Sequence, residues 1–350
     1  MQHGATGLQK LLVASLLTLF TCSQGLLMEG SKVNGRYPYQ TAVVPFLSEV
    51  LKLGISAVLL QWQLRRNPRG TKITRGWGTA ILFPIPSVIY LIHNNVQFYT
   101  MSYVDAATYQ ILGNLKIVST GLLSWLFLRK HLSMVQWHAL VLLMCGAATS
   151  QIQGCGEGCN SNGLAAPVQG YMLGILSACL SAVAGVYTEF IMKKNDDNLY
   201  WQNIQLYTWG SIFNAAALTL QDFKSGFREG IWIFSLFRGF TAATYLLVLN
   251  FGCAGLFISW IMKFGDNIVK VYATSSAMLL TTLISAWLFE LQPTLQLLLG
   301  IVVAAISLQL YFLPPENVGH SPSQRAGLTS RSSSKSLDMR HLEKADKELA

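Results

Sequence analysis

Apolar residues run along this chain in long blocks separated by short polar breaks. Residues 11–28, 76–104, 131–156, 158–188, 198–221, 239–262, 271–289 and 291–315 each contain no Asp, Glu, Lys or Arg. Several of these blocks exceed the roughly 20 apolar residues that a helix needs to cross a bilayer. The pattern predicts helices near 10–29, 39–63, 77–101, 104–128, 134–152, 169–193, 201–221, 236–263, 266–290 and 294–313. Period-two alternation is absent, and in hydrocarbon only helices and closed barrels satisfy their own backbone. The expected fold is therefore all-α: a polytopic membrane protein with ten transmembrane helices.

Composition removes the soluble alternative, because 12% charged and 52% apolar residues do not suit water-facing domains. Residues 314–350 differ: after Pro314-Pro315 comes a Ser-, Lys- and Arg-bearing stretch with too little apolar content to fold, read as a disordered tail. Basic residues set the orientation. Arg65, Arg66, Arg69, Lys72, Arg75, Arg129, Lys130, Lys193, Lys194 and the tail cations fall on one side, against Lys32, Arg36, Lys224 and Arg228 on the other. Both termini are thus expected in the cytosol, which requires an even number of spans. The segment from Lys10 to Thr21-Cys22-Ser23 has the outline of a signal peptide. Its apolar run continues too far, however, and its removal would break the even count. The net charge of +9 reflects topology and contact with an anionic leaflet, not nucleic-acid binding.

A weak repeat divides the chain. Gly25 through Glu29 is answered by Gly185 through Glu189, Tyr103-Val104-Asp105 by Phe264-Gly265-Asp266, and Trp125-Leu126-Phe127 by Trp287-Leu288-Phe289, at offsets of 160, 161 and 162. The organisation expected is a first five-helix repeat over 1–152, a lumenal loop over 153–168, a second repeat over 169–313 and the tail. Five helices is an odd number, so the second repeat enters the membrane inverted, as in carriers that bind substrate at the midplane.

Certain residues do not belong in lipid. Glu49 and Lys52 sit three apart on one face of the second helix. They are either a structural ion pair or a cavity-lining pair whose lysine can be lent to an anion. His93-Asn94-Asn95 and Gln97 are either interhelical glue or amide groups of the kind that read a nucleobase edge. Tyr109, Gly113 and Lys116 share one stripe, with Lys116 about 16 Å beyond Asp105, itself best read as a helix cap. Lys263 closes one helix, and Asp266, Asn267 and Lys270 open the next. Unpaired lysines here call for an anion, and phosphate is the commonest multi-oxygen candidate. Arg238, by contrast, reads as a headgroup-snorkelling residue.

Cys155 and Cys159 lie in the predicted lumenal loop, where an oxidising compartment would permit a disulfide. P-loop, GxSxG, HExxH and strand-linked GxGxxG motifs are missing, so no enzyme, cofactor or metal is expected.

The chain resembles the nucleotide-sugar transporters of the drug/metabolite transporter superfamily, in the CMP-sialic acid/UDP-galactose/UDP-GlcNAc branch. The likeness rests on Ser48-Glu49-Val50-Leu51-Lys52-Leu53, His93-Asn94-Asn95, Asp105 through Gln110 with Leu115-Lys116-Ile117, Ala184 through Glu189, Asn203 through Tyr207, and Lys263 through Lys270. Ile111 through Asn114 and the Gly154 through Glu157 loop look most like the plant CMP-sialic acid transporter-like proteins.

The resemblance implies residence in the Golgi membrane and exchange of a cytosolic CMP-linked acidic sugar for lumenal CMP, with UDP-sugars or another phosphorylated metabolite as alternative cargo. It implies that Asn94 and Asn95 contact the base and that Lys270, with Tyr109 and Lys116, holds the phosphate. Lys52 and Tyr207 would reach the sugar's acidic group, with Glu49 orienting Lys52, while Lys263 and Asn267 complete the candidate set. The implied partners are CMP, the CMP-sugar and the bilayer, with a homodimer as the oligomer to consider. Where animal members have T-Y-Q-L-K, this chain has Leu112-Gly113-Asn114-Leu115-Lys116, so sugar identity does not transfer from them.

Overall fold

The computed structural model describes residues 7–33, 37–74, 76–101, 103–104, 106–151, 167–194, 196–227, 230–288 and 295–312. Among these residues there are no β-strands. The helices are α1 (Gly7–Gly30), α2 (Val43–Arg66), α3 (Trp77–Ala80), α4 (Pro84–Met101), α5 (Ala106–Gly113), α6 (Leu115–Leu128), α7 (Met134–Gln151), α8 (Val168–Lys194), α9 (Leu199–Lys224), α10 (Ala242–Phe264), α11 (Asn267–Leu288) and α12 (Leu295–Phe312). The tail over 314–350, Asp105, Cys155 and Cys159 lie outside the described residues, so their expected disorder, cap and disulfide do not enter here.

Each predicted segment is helical over most of its length, and two are broken where the sequence supplies a reason. The 77–101 segment divides at residues 81–83 because Pro84 cannot continue a helix from behind. As the first residue of α4, Pro84 lacks only an N–H that would have had no partner there. The 104–128 segment divides at Asn114, directly after Gly113. The Asn114 N–H reaches back only to the Ile111 carbonyl (3.1 Å), and Ile117 donates in the same short register to Asn114 (3.0 Å).

A third difference lies before α10. Residues 236–241, predicted helical, are turns over 236–239 and irregular at 240–241, with Gly239 at φ +77°. α10 starts only where Thr241 and Thr244 form a reciprocal capping pair. Arg238, exposed in this turn segment, is outside any helix.

Six of the helical stretches are long and apolar enough to cross a membrane, among them α2, α8, α10 and α12. Leu8, Leu11, Leu12 and Leu19 on α1 are all exposed, an apolar surface suited to lipid and not to water. The chain is a polytopic membrane protein. α1 packs on α10 and α11, α8 on α4 and α6, α2 on α9, and α7 on α12. Small residues permit the closest of these approaches. A Cβ on Gly300 of α12 would stand 2.6 Å from the Gly146 carbonyl oxygen of α7, so the two backbones touch.

Candidate functional site

A cavity of about 610 Å³ opens among α1, α2, α4, α8, α9, α10 and α11. Among the described residues its charged lining is Glu49 and Lys52 on α2 and Lys270 on α11, two cations against one anion, for a net of +1. Charges inside a membrane-spanning bundle are expensive unless they pair or face a cavity: Glu49 and Lys52 pair with each other, and Lys270 faces the cavity.

Lys52 donates to Glu49 Oε1 at 2.7 Å, and its ammonium also sits over the Tyr207 ring, 4.4 Å from the centroid. Tyr207 is fixed in turn: its hydroxyl donates to the Gly255 carbonyl at 3.1 Å and lies 2.8 Å from Ser259 Oγ, which donates to Asn203 Oδ1 at 2.6 Å. The phenol oxygen is therefore committed to α10, and the part of Tyr207 offered to Lys52 is its ring face.

Lys270 lines the cavity with Thr274 on the next turn and Thr188 of α8. Among the described residues its ammonium has no hydrogen bond and no salt bridge, and the Glu189 carboxylate acts on it only through space. Lys116 on α6 is outside the wall but within electrostatic reach of Lys270, and it is likewise without a carboxylate partner among the described residues. Tyr109 on α5 and His93 on α4 both bond Ser177 of α8, the latter at 3.2 Å. Asn94 and Asn95 fall within α4, but their side chains lie outside the described residues.

Two candidates are engaged elsewhere. Lys263 donates to the Asp197 carbonyl and to Gln202 Oε1 (2.6 Å), tying the end of α10 to the start of α9. Asn267 is buried at the start of α11, where its backbone N–H donates to Glu189 Oε2 at 3.0 Å and its amide packs on Gly185. Neither belongs to the cavity wall.

Sequence reasoning missed a charge cluster beside them. Glu189, wholly buried on α8, accepts from Lys130 at 2.6 Å and Lys193 at 2.7 Å, and both ammonium groups also reach Asp266 Oδ1, at 2.6 and 3.0 Å. Burial alone would raise the Asp266 carboxyl, but the two lysines outweigh it and bring its pKa from 3.8 down to about 2. A second polar seam lies nearby: Thr74 donates through N–H and hydroxyl to Asp197 Oδ1 (3.0 and 2.7 Å), and Asn198 Nδ2 donates to Gln63 Oε1 (2.9 Å). Both clusters connect segments of the first 152 residues to segments beyond 168. In the sequence Glu189 and Asp266 stand out as repeat markers and Lys130 and Lys193 as basic flanks, with nothing that joins them.

A cationic cavity in a helical membrane protein fits several kinds of carrier, and comparison with known proteins decides among them. The sequence profile described as "Nucleotide-sugar transporter" matches residues 6–312. The chain belongs to the nucleotide-sugar transporter family. CMP-sialic acid transporter 1 of Arabidopsis thaliana is 56% identical over 311 residues, 89% of this chain and 92% of that protein. CMP-sialic acid transporter 1 of Oryza sativa subsp. japonica is 55% identical over 307 residues, 88% and 95% of the two chains. CMP-sialic acid transporter 4 of A. thaliana is 39% identical over 309 residues. A solved crystal structure, 13% identical, superposes with a TM-score of 0.62 over 88% of this chain and 98% of its own, a likeness of fold alone. As a member of this family the chain is a transporter and not an enzyme.

Proposed function

We propose that this transporter exchanges a cytosolic CMP-linked acidic sugar for lumenal CMP across the Golgi membrane by alternating access. The observation that carries the reading is the net-positive cavity whose Lys270 makes no salt bridge among the described residues, which suits a nucleotide phosphate. The relatives above, named as CMP-sialic acid transporters, supply the base and the class of sugar. In this reading Lys270 holds the phosphate and Lys116, with Tyr109, adds to the positive potential around it. Lys52 meets the acidic group of the sugar while Glu49 and the Tyr207 ring orient it, and Asn94 and Asn95 read the base. Lys263 and Asn267 act as structural ties.

The reading includes ten transmembrane helices in two inverted five-helix repeats. Support comes from the packing: α1 rests on α10 and α11 as α8 rests on α4 and α6, while α2 pairs with α9 and α7 with α12, so exchanging the halves preserves the contacts. The Glu189 cluster and the Thr74–Asp197 seam lie on the face rich in Lys and Arg, which the positive-inside rule makes cytosolic. They would close that entrance in this conformation, with both termini on the same side. A bare cationic site crossing the membrane is costly, and a bound phosphate offsets its charge, which favours exchange over empty return.

The test is a thermal-shift screen of purified protein with CMP, UMP, GMP and AMP. CMP should raise the melting temperature most, because a ligand of the folded state stabilises by mass action. A larger rise with another nucleotide, or none with any, would contradict the reading.

A further inference from the structure

The Glu49–Lys52 pair occupies a slot made by two glycines from the other half of the chain. A Cβ built on Gly255 of α10 would stand 2.5 Å from Lys52 Cδ and 3.1 Å from its Nζ. One built on Gly210 of α9 would stand 2.7 Å from Glu49 Oε2. Both glycines line the same cavity. Interior helical glycine is unfavourable relative to alanine, so each position calls for a reason. Close backbone packing supplies one at Gly146 and Gly300, where the obstructing atoms include the backbone of the facing helix. At Gly210 and Gly255 the nearest atoms belong instead to the charged side chains themselves.

We infer that Gly210 and Gly255 are positioning residues for substrate selectivity: they admit the pair to the cavity wall, leaving the Lys52 ammonium on the Tyr207 ring, where it can pass from Glu49 to an anionic group on the sugar. The inference rests on the nucleotide-sugar reading and deepens it. An added methyl at Gly255 meets a flexible lysine chain, so the protein relaxes by swinging Lys52 off the ring and not by unfolding. The phosphate partner Lys270 is on a different helix and is left alone. Such a substitution therefore separates recognition of the sugar's acid from recognition of the nucleotide. Gly252, one turn earlier on α10, provides a control, since a Cβ there would meet only the Leu51 side chain, 2.8 Å away.

The experiment measures affinities of the purified full-length chain for CMP and for CMP-sialic acid in the wild type, Gly255→Ala, Gly252→Ala, Lys52→Ala and the Gly255→Ala/Lys52→Ala double variant. Gly255→Ala should weaken CMP-sialic acid by about tenfold, the scale of one hydrogen bond to a charged group, with CMP within about twofold. Gly252→Ala should leave the ratio of the two affinities unchanged. In the Lys52→Ala background Gly255→Ala should have no further effect, since it acts through that lysine. Equal weakening of both ligands, or an undiminished effect without Lys52, would overturn the inference. Failure of the wild-type chain to bind CMP would overturn the nucleotide reading and the inference with it, and would be seen before any variant is compared.

Discussion

Lys52 rests 4.4 Å above the centre of the Tyr207 ring while donating to Glu49 at 2.7 Å, so one ammonium group from the first half of the chain is held between an acid of its own helix and an aromatic face from the second half. Neither contact exhausts an ammonium's three donors, and the group remains part of the cavity wall. The two arms of this arrangement can be separated. Tyr207→Phe keeps the ring but loses the hydroxyl bonds to Gly255 and Ser259, and should lower stability by about 1 kcal/mol with little change in sugar selectivity. Tyr207→Leu removes the aromatic face as well and should weaken CMP-sialic acid more than CMP. Thermal melts and competition binding distinguish the two variants, and identical behaviour would remove the ring from the account.

Lys270→Ala removes a cavity cation that makes no salt bridge among the described residues. CMP binding should weaken by about 1.5–3 kcal/mol, the range for a hydrogen bond to a charged group. Cytidine, which lacks the phosphate, should bind almost unchanged. Calorimetric titration with both ligands checks this, and parallel losses would make Lys270 a structural residue.

Glu189→Gln leaves Lys130 and Lys193 with Asp266 as their one carboxylate among the described residues. The contact between the two halves is thereby weakened, and the population should shift toward a form open on that face. A cysteine placed at cavity residue Thr188 should then react faster, on the order of several-fold, with a water-soluble thiol reagent applied from the cytosolic side. Unchanged labelling would show that the cluster holds the fold without gating the cavity.

The depressed carboxyl of Asp266 gives that cluster a pH signature. Its pKa of about 2 lies below the usual 3.8, so its stabilising contribution is complete above pH 3.8 and disappears as pH falls toward 2. The difference in melting temperature between wild type and Asp266→Asn should be flat from neutral pH down to the upper limit and close below it. A difference that closes near neutrality would point to another group.

The charged members of the site were legible because a charge inside an apolar helix is conspicuous: Glu49, Lys52 and Lys270 all reach the cavity. Lys263 lies outside the cavity wall for a physical reason. Its compensation is a backbone carbonyl at Asp197 and an amide at Gln202, 66 and 61 residues away, which no helical periodicity reveals. The Lys130–Glu189 pair, separated by 59 residues, was hidden in the same way. The helix pattern was accurate where hydropathy governs, and departed where local chemistry does: at Pro84, at Gly113-Asn114, and before α10, where Gly239 adopts a positive φ.

Exchange through a central cationic site is tested most directly by uptake of labelled CMP into liposomes containing the purified transporter, with and without unlabelled CMP inside. The account predicts that internal CMP accelerates uptake and that Lys270→Ala abolishes the acceleration. Equal uptake into empty and loaded vesicles would contradict it.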